Sequence, residues 1–152
     1  MYRRFTPVLA AAVVTLLLGC APSQDSGKGR DATLVAGRWY SVEQVQAGSR
    51  VFQDQCAQCH GAQAQGITAD WRARLEDGSF PPPPLNGSAH AWHHPLTVLL
   101  QVINQGGVPL GGHMPAFANR ISDTEKLAAI AYFQSFWNDK TYENWEQMGV
   151  TE

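Results

Sequence analysis

"CAQCH", residues Cys56–His60, sets two thiols and an imidazole within five positions. The chain of 152 residues holds one other cysteine, Cys20, so the chemistry of this stretch must be found largely within it. A C-x-x-C pair in an exported chain can oxidise to a disulfide, and in a thioredoxin-like fold it is a redox couple. Zinc takes such a pair when more ligands follow at similar spacing. No second ligand pair follows here and no βαβ pattern surrounds the motif, which counts against both zinc and thioredoxin.

The histidine decides. In C-x-x-C-H the two sulfurs form thioethers with the vinyl groups of haem, and the adjacent imidazole falls onto the iron. The sequence therefore predicts one covalent haem c, with Cys56 and Cys59 binding the cofactor and His60 as the proximal metal ligand. Further along, "GGHMPAF" runs from Gly111 to Phe117. A thioether is a soft ligand that favours Fe(II) and raises the reduction potential. Core methionines normally sit in a periodic apolar run, whereas Met114 lies in a loop of glycine and proline. It is the expected sixth ligand. Pro115 restricts it to extended conformations, and Gly111 and Gly112 let the loop come close to the porphyrin. His113 is the rival, and bis-histidine ligation would lower the potential.

The surrounding pattern is helical. Ser41 and Gln44 make a capping box opening "VEQVQAGSRVFQDQCAQCH", with Val42, Val45, Val51 and Phe52 near one face. A second helix fits "PLTVLLQVINQGG", started by Pro95, with Leu96, Leu99, Leu100 and Ile103 on one face and Gly106 ending it. Ser122 and Glu125 cap a third, whose apolar content is Leu127, Ile130, Ala131, Phe133 and Trp137. "TADWRARLEDG" (68–78) is expected as a short helix, and Trp71 and Trp137 as core. In "PPPPLNGSAHAWHHPL" (81–96), His90, His93 and His94 would share a face on a helix, which invites a second metal such as copper. Pro95 disfavours helical geometry at His94, so the segment is expected as a loop over the haem edge, with Trp92 packing on the porphyrin or its propionates.

In this order the pieces resemble a class I cytochrome c over about residues 40–137. They are a capped helix with Gly48 and Phe52, C-x-x-C-H, Pro-Leu-x-Gly at Pro84–Gly87, a helix, Met-Pro at 114–115, and a last helix with Tyr132. The resemblance implies an all-α cytochrome c fold: three main helices plus short helices and loops wrapped around one haem. It also implies that Gly48 and Tyr132 meet where the first and last helices cross. The carbonyl of Pro84, the proline just before the leucine, would accept a hydrogen bond from His60 Nδ1–H. The implied function is electron transfer rather than catalysis. The alternatives are a haem sensor or small oxidoreductase with a labile sixth ligand, and an accessory electron-transfer subunit linked to copper handling.

The N-terminus adds an address. Arg3 and Arg4 precede "FTPVLAAAVVTLLLG", an apolar run too short to cross a membrane comfortably, so residues 1–19 read as a signal peptide. Leu17, Leu18 and Gly19 before Cys20 resemble the lipobox of bacterial lipoproteins. That resemblance implies lipidation of Cys20 and a periplasmic, membrane-anchored protein, and Ala21 in place of aspartate points to the outer membrane. Residues 20–38 are small and polar and are expected to form a flexible tether, residues 39–138 the cytochrome c domain, and residues 139–152 a polar tail from which Tyr142 and Trp145 can pack back. Removing Arg3 and Arg4 with the leader takes the formal charge from −2 to −4, and no basic patch suggests nucleic acid. The expected partners are redox proteins met transiently. With three lysines in the chain, docking through a lysine ring is not expected.

Overall fold

The computed structural model describes residues 33–148. Its elements are α1 (Val42–Gln55), α2 (Ala57–His60), a 3₁₀ turn (His90–His93), α3 (Leu96–Gln105), a second 3₁₀ turn (Val108–Leu110), α4 (Asp123–Gln134) and α5 (Asp139–Gln147). No strand occurs among the described residues, only an isolated bridge between Leu34 and Ser41, and the all-α expectation is borne out. No helix among them is long and apolar enough to cross a membrane. The leader, Cys20 and the greater part of the tether expected at 20–38 lie outside the described residues.

Both expected capping boxes form. Ser41 accepts the N–H of Gln44 at 3.1 Å and returns its own N–H to Gln44 Oε1 at 2.9 Å, and Ser122 and Glu125 repeat the exchange at the start of α4. These reciprocal bonds satisfy N–H groups that a helix start otherwise leaves open. The two helices so started pack on each other. Of the four apolar positions expected on α1, Phe52 is fully buried, while Val42 lies exposed. Helix α4 is buried nearly all round: Ala128, Ala129, Ile130, Ala131 and Phe133 on its apolar turns, and Lys126 and Gln134 besides. The buried Lys126 is not left without partners: its Nζ donates to the Ala118 carbonyl at 3.3 Å and pairs with Asp123 at 2.9 Å.

Gly48 and Tyr132 do meet at the crossing. A β-carbon at position 48 would sit 1.8 Å from the Ala128 carbonyl oxygen and 3.0 Å from Tyr132 Cβ. Only glycine allows backbone to approach backbone this closely. Phe52 then packs its ring on Tyr132, centroids 5.2 Å apart.

Two expectations need correction. Residues 68–78 form turns, not a helix. Asp70 accepts the N–H of Arg72, and Asp77 accepts both the N–H and hydroxyl of Ser79. Short acidic side chains that bond the backbone two residues on compete with the helix for it. Trp71 is accordingly only half buried, whereas Trp137 is core as expected. Residues 139–147 are not a tail but helix α5, capped by Asn138, which accepts the Thr141 N–H at 2.8 Å. Tyr142 and Trp145 lie on one face three apart and are almost wholly buried. They tie in the segment just before α1 and the histidine turn: Tyr142 Oη accepts the Trp39 N–H at 2.9 Å, and Trp145 Nε1 donates to the His94 carbonyl at 2.9 Å. Arg38, expected in the tether, belongs to the domain as well. Its guanidinium pairs with Asp139 at 2.8 Å and covers the Tyr142 ring at 3.9 Å.

Gly48→Ala is expected to cost about 3 kcal/mol, the upper range for overpacking a close contact, against a helix-propensity gain of about 1 kcal/mol. Urea denaturation of the haem-loaded protein reads it as a lowered midpoint; an unmoved midpoint would show that α1 and α4 can part without cost.

Candidate haem site

The motif occupies the end of α1 and the single turn that follows. Helix α1 stops at Gln55, and Cys56 bends the chain (φ −121°, ψ −35°) while its N–H still bonds the Phe52 carbonyl. The turn is then closed from Cys56, whose carbonyl accepts the N–H of Cys59 at 3.1 Å and of His60 at 2.9 Å. Both cysteines are free thiols, Cys56 half buried and Cys59 exposed. Burial pushes the Cys56 thiol up to about 11, and the neighbouring Cys59 adds to the rise. The two sulfurs thus stand on one turn with no disulfide between them.

His60 is buried, 7% exposed. Its Nδ1 lies 2.9 Å from the carbonyl oxygen of Pro83, not of Pro84 as expected. In a run of four prolines every carbonyl lacks an in-run N–H partner, so motif spacing alone picks out none of them. Pro84 is itself buried, with its ring against Gly66. Burial lowers the His60 pKa, opposed by the Pro83 bond, so the imidazole is neutral, with Nδ1–H donated and the Nε2 lone pair left free. Such a bond fixes the tautomer and raises ligand basicity. The proline segment is itself held. The first N–H groups after it, of Leu85 and Asn86, both reach the Ala64 carbonyl, at 2.7 and 3.1 Å, and Trp137 Nε1 donates to the Leu85 carbonyl at 2.7 Å.

Met114 sits on a separate loop leaving α3. Gly107 N–H donates to the Met114 carbonyl at 2.9 Å, and Phe117 N–H to the Ile103 carbonyl at 2.9 Å. A close backbone approach is made at Gly106, φ +81°, where a β-carbon would lie 2.6 Å from the Met114 oxygen. His113 faces elsewhere, its Nε2 2.8 Å from Asp77 Oδ2 at the surface. Trp92, Leu85, Leu96, Leu100 and Ile103 pack on the core by one side, with Cys56 in the same cluster, and remain only partly buried. They leave apolar side chains only partly covered on the same core cluster as Cys56.

The histidine segment is a 3₁₀ turn with His94 extended (φ −110°, ψ 130°). His90 stacks on Trp71, centroids 4.8 Å apart, and meets the His94 ring edge-on at 5.4 Å. Among the described residues no three His, Cys, Asp or Glu side chains gather to hold a bare metal ion, so His90, His93 and His94 do not form the three-ligand site a second metal would need.

These groups fit haem: two free thiols and an imidazole on one turn, the imidazole oriented through its Nδ1 bond, and partly buried apolar side chains in the core cluster that includes Cys56. Bound there, haem supplies a one-electron Fe(III)/Fe(II) couple. Residues 43–133, more than half of the chain, match the family model described as "Cytochrome C oxidase, cbb3-type, subunit III". The chain belongs to this family. It is a c-type cytochrome, and its task is haem-based electron transfer. The match spans α1, the C-x-x-C-H turn, the proline segment, α3 and the methionine loop, and ends within α4, leaving α5 outside. No curated protein and no solved structure matches the chain.

Burial lowers the pKa values of His90 and His94, and the facing histidines add to the effect. The unfolded cytochrome therefore takes up protons first, and stability is whole above about pH 6.5 and falls as pH drops below it towards the folded values. Denaturation midpoints between pH 7.5 and 5 in steps of about half a unit are expected to decline in the wild type and to decline less in a His90→Asn, His94→Asn double variant. Parallel profiles would place the acid sensitivity elsewhere.

Proposed function

We propose that this cytochrome is a single-haem electron carrier on the periplasmic side of a bacterial membrane, bound through thioethers at Cys56 and Cys59 and ligated axially by His60 and Met114. The observation that carries the ligand assignment is the disposition of the methionine loop. Met114 is pinned to the end of α3 by the Gly107 bond, while the competing His113 is turned to a surface carboxylate. With both axial positions taken by protein, no substrate reaches the iron and the site exchanges electrons alone. Methionine places the potential on the high side for a haem c.

Docking follows from the surface near that loop. Val108 and Leu110, on the turn before Met114, are 68% and 67% exposed. Of the two lysines among the described residues Lys126 is buried, leaving Lys140 on α5. An apolar rim poor in lysine suits small, transient contacts with a redox partner. The family's description, an oxidase subunit, supports a membrane oxidase as the electron acceptor. The lipobox-like Leu17–Cys20 supports tethering through Cys20, since two acyl signals anchor stably where one is marginal.

The ferric protein is expected to show a far-red methionine-to-iron charge-transfer band that Met114→Ala abolishes, and the ferrous spectrum to be unchanged by carbon monoxide. Rapid carbon monoxide binding by the wild type would instead put a sensor or small oxidoreductase with an exchangeable sixth ligand in its place. For the anchor, Cys20→Ala is expected to move the mature protein from the membrane fraction to the soluble periplasmic fraction. Retention with the membranes would mean that something other than Cys20 holds it there.

A further inference from the structure

We infer that Asp77 selects the sixth ligand of the iron: it holds the His113 imidazole at the surface and so leaves the axial position to Met114. This rests on the methionine ligation proposed above and assigns the residue that protects it.

The two candidate donors are neighbours in sequence. Residues 113 and 114 lie outside any helix, and in extended chain consecutive side chains point to opposite sides. One of them can face the haem at a time. Exchanging them takes a rotation of the chain by one residue, and the place for it is immediately upstream, at Gly111 (φ +81°) and Gly112. Imidazole is a good ligand for iron. A histidine next to the ligating methionine, behind a two-glycine hinge, is a standing competitor unless something occupies it.

Asp77 is built to do so. Its Oδ1 accepts the Ser79 N–H at 2.9 Å and the Ser79 hydroxyl at 2.6 Å, which fixes the carboxylate and leaves Oδ2 for His113 Nε2 at 2.8 Å. With Nε2–H donated to the carboxylate, that nitrogen has no lone pair to offer a metal. The same segment also grips the hinge. Phe80 N–H donates to the Gly111 carbonyl at 2.8 Å, and the Phe80 ring lies 3.6 Å from where a β-carbon of Gly111 would be. Arg74 closes the segment on itself, donating to the Gly78 carbonyl at 2.6 Å and covering Phe80 at 4.0 Å. Residues 74–80 thus hold both the imidazole and the backbone that would have to turn to deliver it. Neither Asp77 nor His113 lies on a helix, and both side chains are more than half exposed, so removing the pair is expected to leave the helix packing in place. Exposed pairs are individually weak. The expected leverage is therefore a shift in ligand population, and it is read most sensitively where methionine no longer competes.

The test uses ferric, haem-loaded protein in a Met114→Ala background, with spin state followed by electron paramagnetic resonance and optical spectra. Met114→Ala alone is expected to be mainly high spin. Adding Asp77→Ala, or the shape-preserving Asp77→Asn, is expected to raise the ratio of low-spin to high-spin iron about fivefold. Adding His113→Gln to either is expected to cancel the rise. An unchanged ratio on loss of Asp77, or a rise that survives His113→Gln, overturns the inference. The wild-type spectrum separates the two levels. A far-red band present without the low-spin gain defeats the role of Asp77 alone, whereas its absence defeats the methionine ligation and this inference with it.

Discussion

At the crossing of α1 and α4 the Ala128 carbonyl oxygen occupies the space into which a side chain at position 48 would project, 1.8 Å from the site of its β-carbon. That contact fixes the separation of the two helices, and the separation fixes the start of the haem motif, because Cys56 is carried on the end of α1. The same crossing fixes the far side of the motif. Tyr132, whose Cβ also closes on Gly48, sends its hydroxyl to the Ala62 carbonyl at 2.9 Å, and Gln53 from α1 donates to the same oxygen at 2.9 Å. The turn holding both thiols and the imidazole is thus gripped before and after by the one helix pair. Its geometry is a consequence of a missing side chain.

A second constraint comes from residues that cannot donate. Four consecutive prolines hold φ near −65° and offer no N–H, so Pro81–Pro84 is stiff and exposes carbonyls with no ladder to join. One of these oxygens meets His60. The N–H groups that resume at Leu85 and Asn86 go to Ala64, a non-glycine residue at φ +57° with its side chain wholly buried. Trp137, just past α4, closes the circuit through the Leu85 carbonyl. The orientation of the proximal imidazole is therefore tied, through a segment with little freedom of its own, to the helix against which α1 is packed.

What could be read from the sequence divides along physical lines. Signals that are local and chemically specific held: both capping boxes, α3 between Pro95 and Gly106, and the all-α class; the close approach at Gly48 held as the resemblance to class I cytochromes c implied. The assignment of the His60 acceptor missed by one residue, because the prolines differ in nothing but position and the structure alone registers which carbonyl faces the ring. The turn at 68–78 was mistaken for a helix because charged residues with good propensity hid Asp70 and Asp77, whose side chains take the backbone bonds instead. Helix α5 was read as a tail because its composition is polar, although Tyr142 and Trp145 at helical spacing carried the signal of a buried face. The Asp77–His113 pair joins residues far apart in sequence, and no local pattern announces it.

The two ligands proposed for the haem iron are consequently built from different materials. His60 is buried, neutral, and oriented by a stiff proline segment and a helix pair, so its place does not depend on the state of the iron. Met114 rides on a loop of glycines held by two backbone bonds at the C-terminal end of α3 and by surface contacts from residues 74–80. A carrier gains from this division. On the proposed ligation, a rigid histidine would keep haem in register with the turn of Cys56 and Cys59, and a soft thioether on a restrained loop would raise the potential. The cost of a loop ligand is that its neighbour can compete, and here the neighbour is an imidazole. On the proposed ligation, restraint at the surface, through the Asp77–His113 pair, would govern which of the two neighbouring donors is presented to haem.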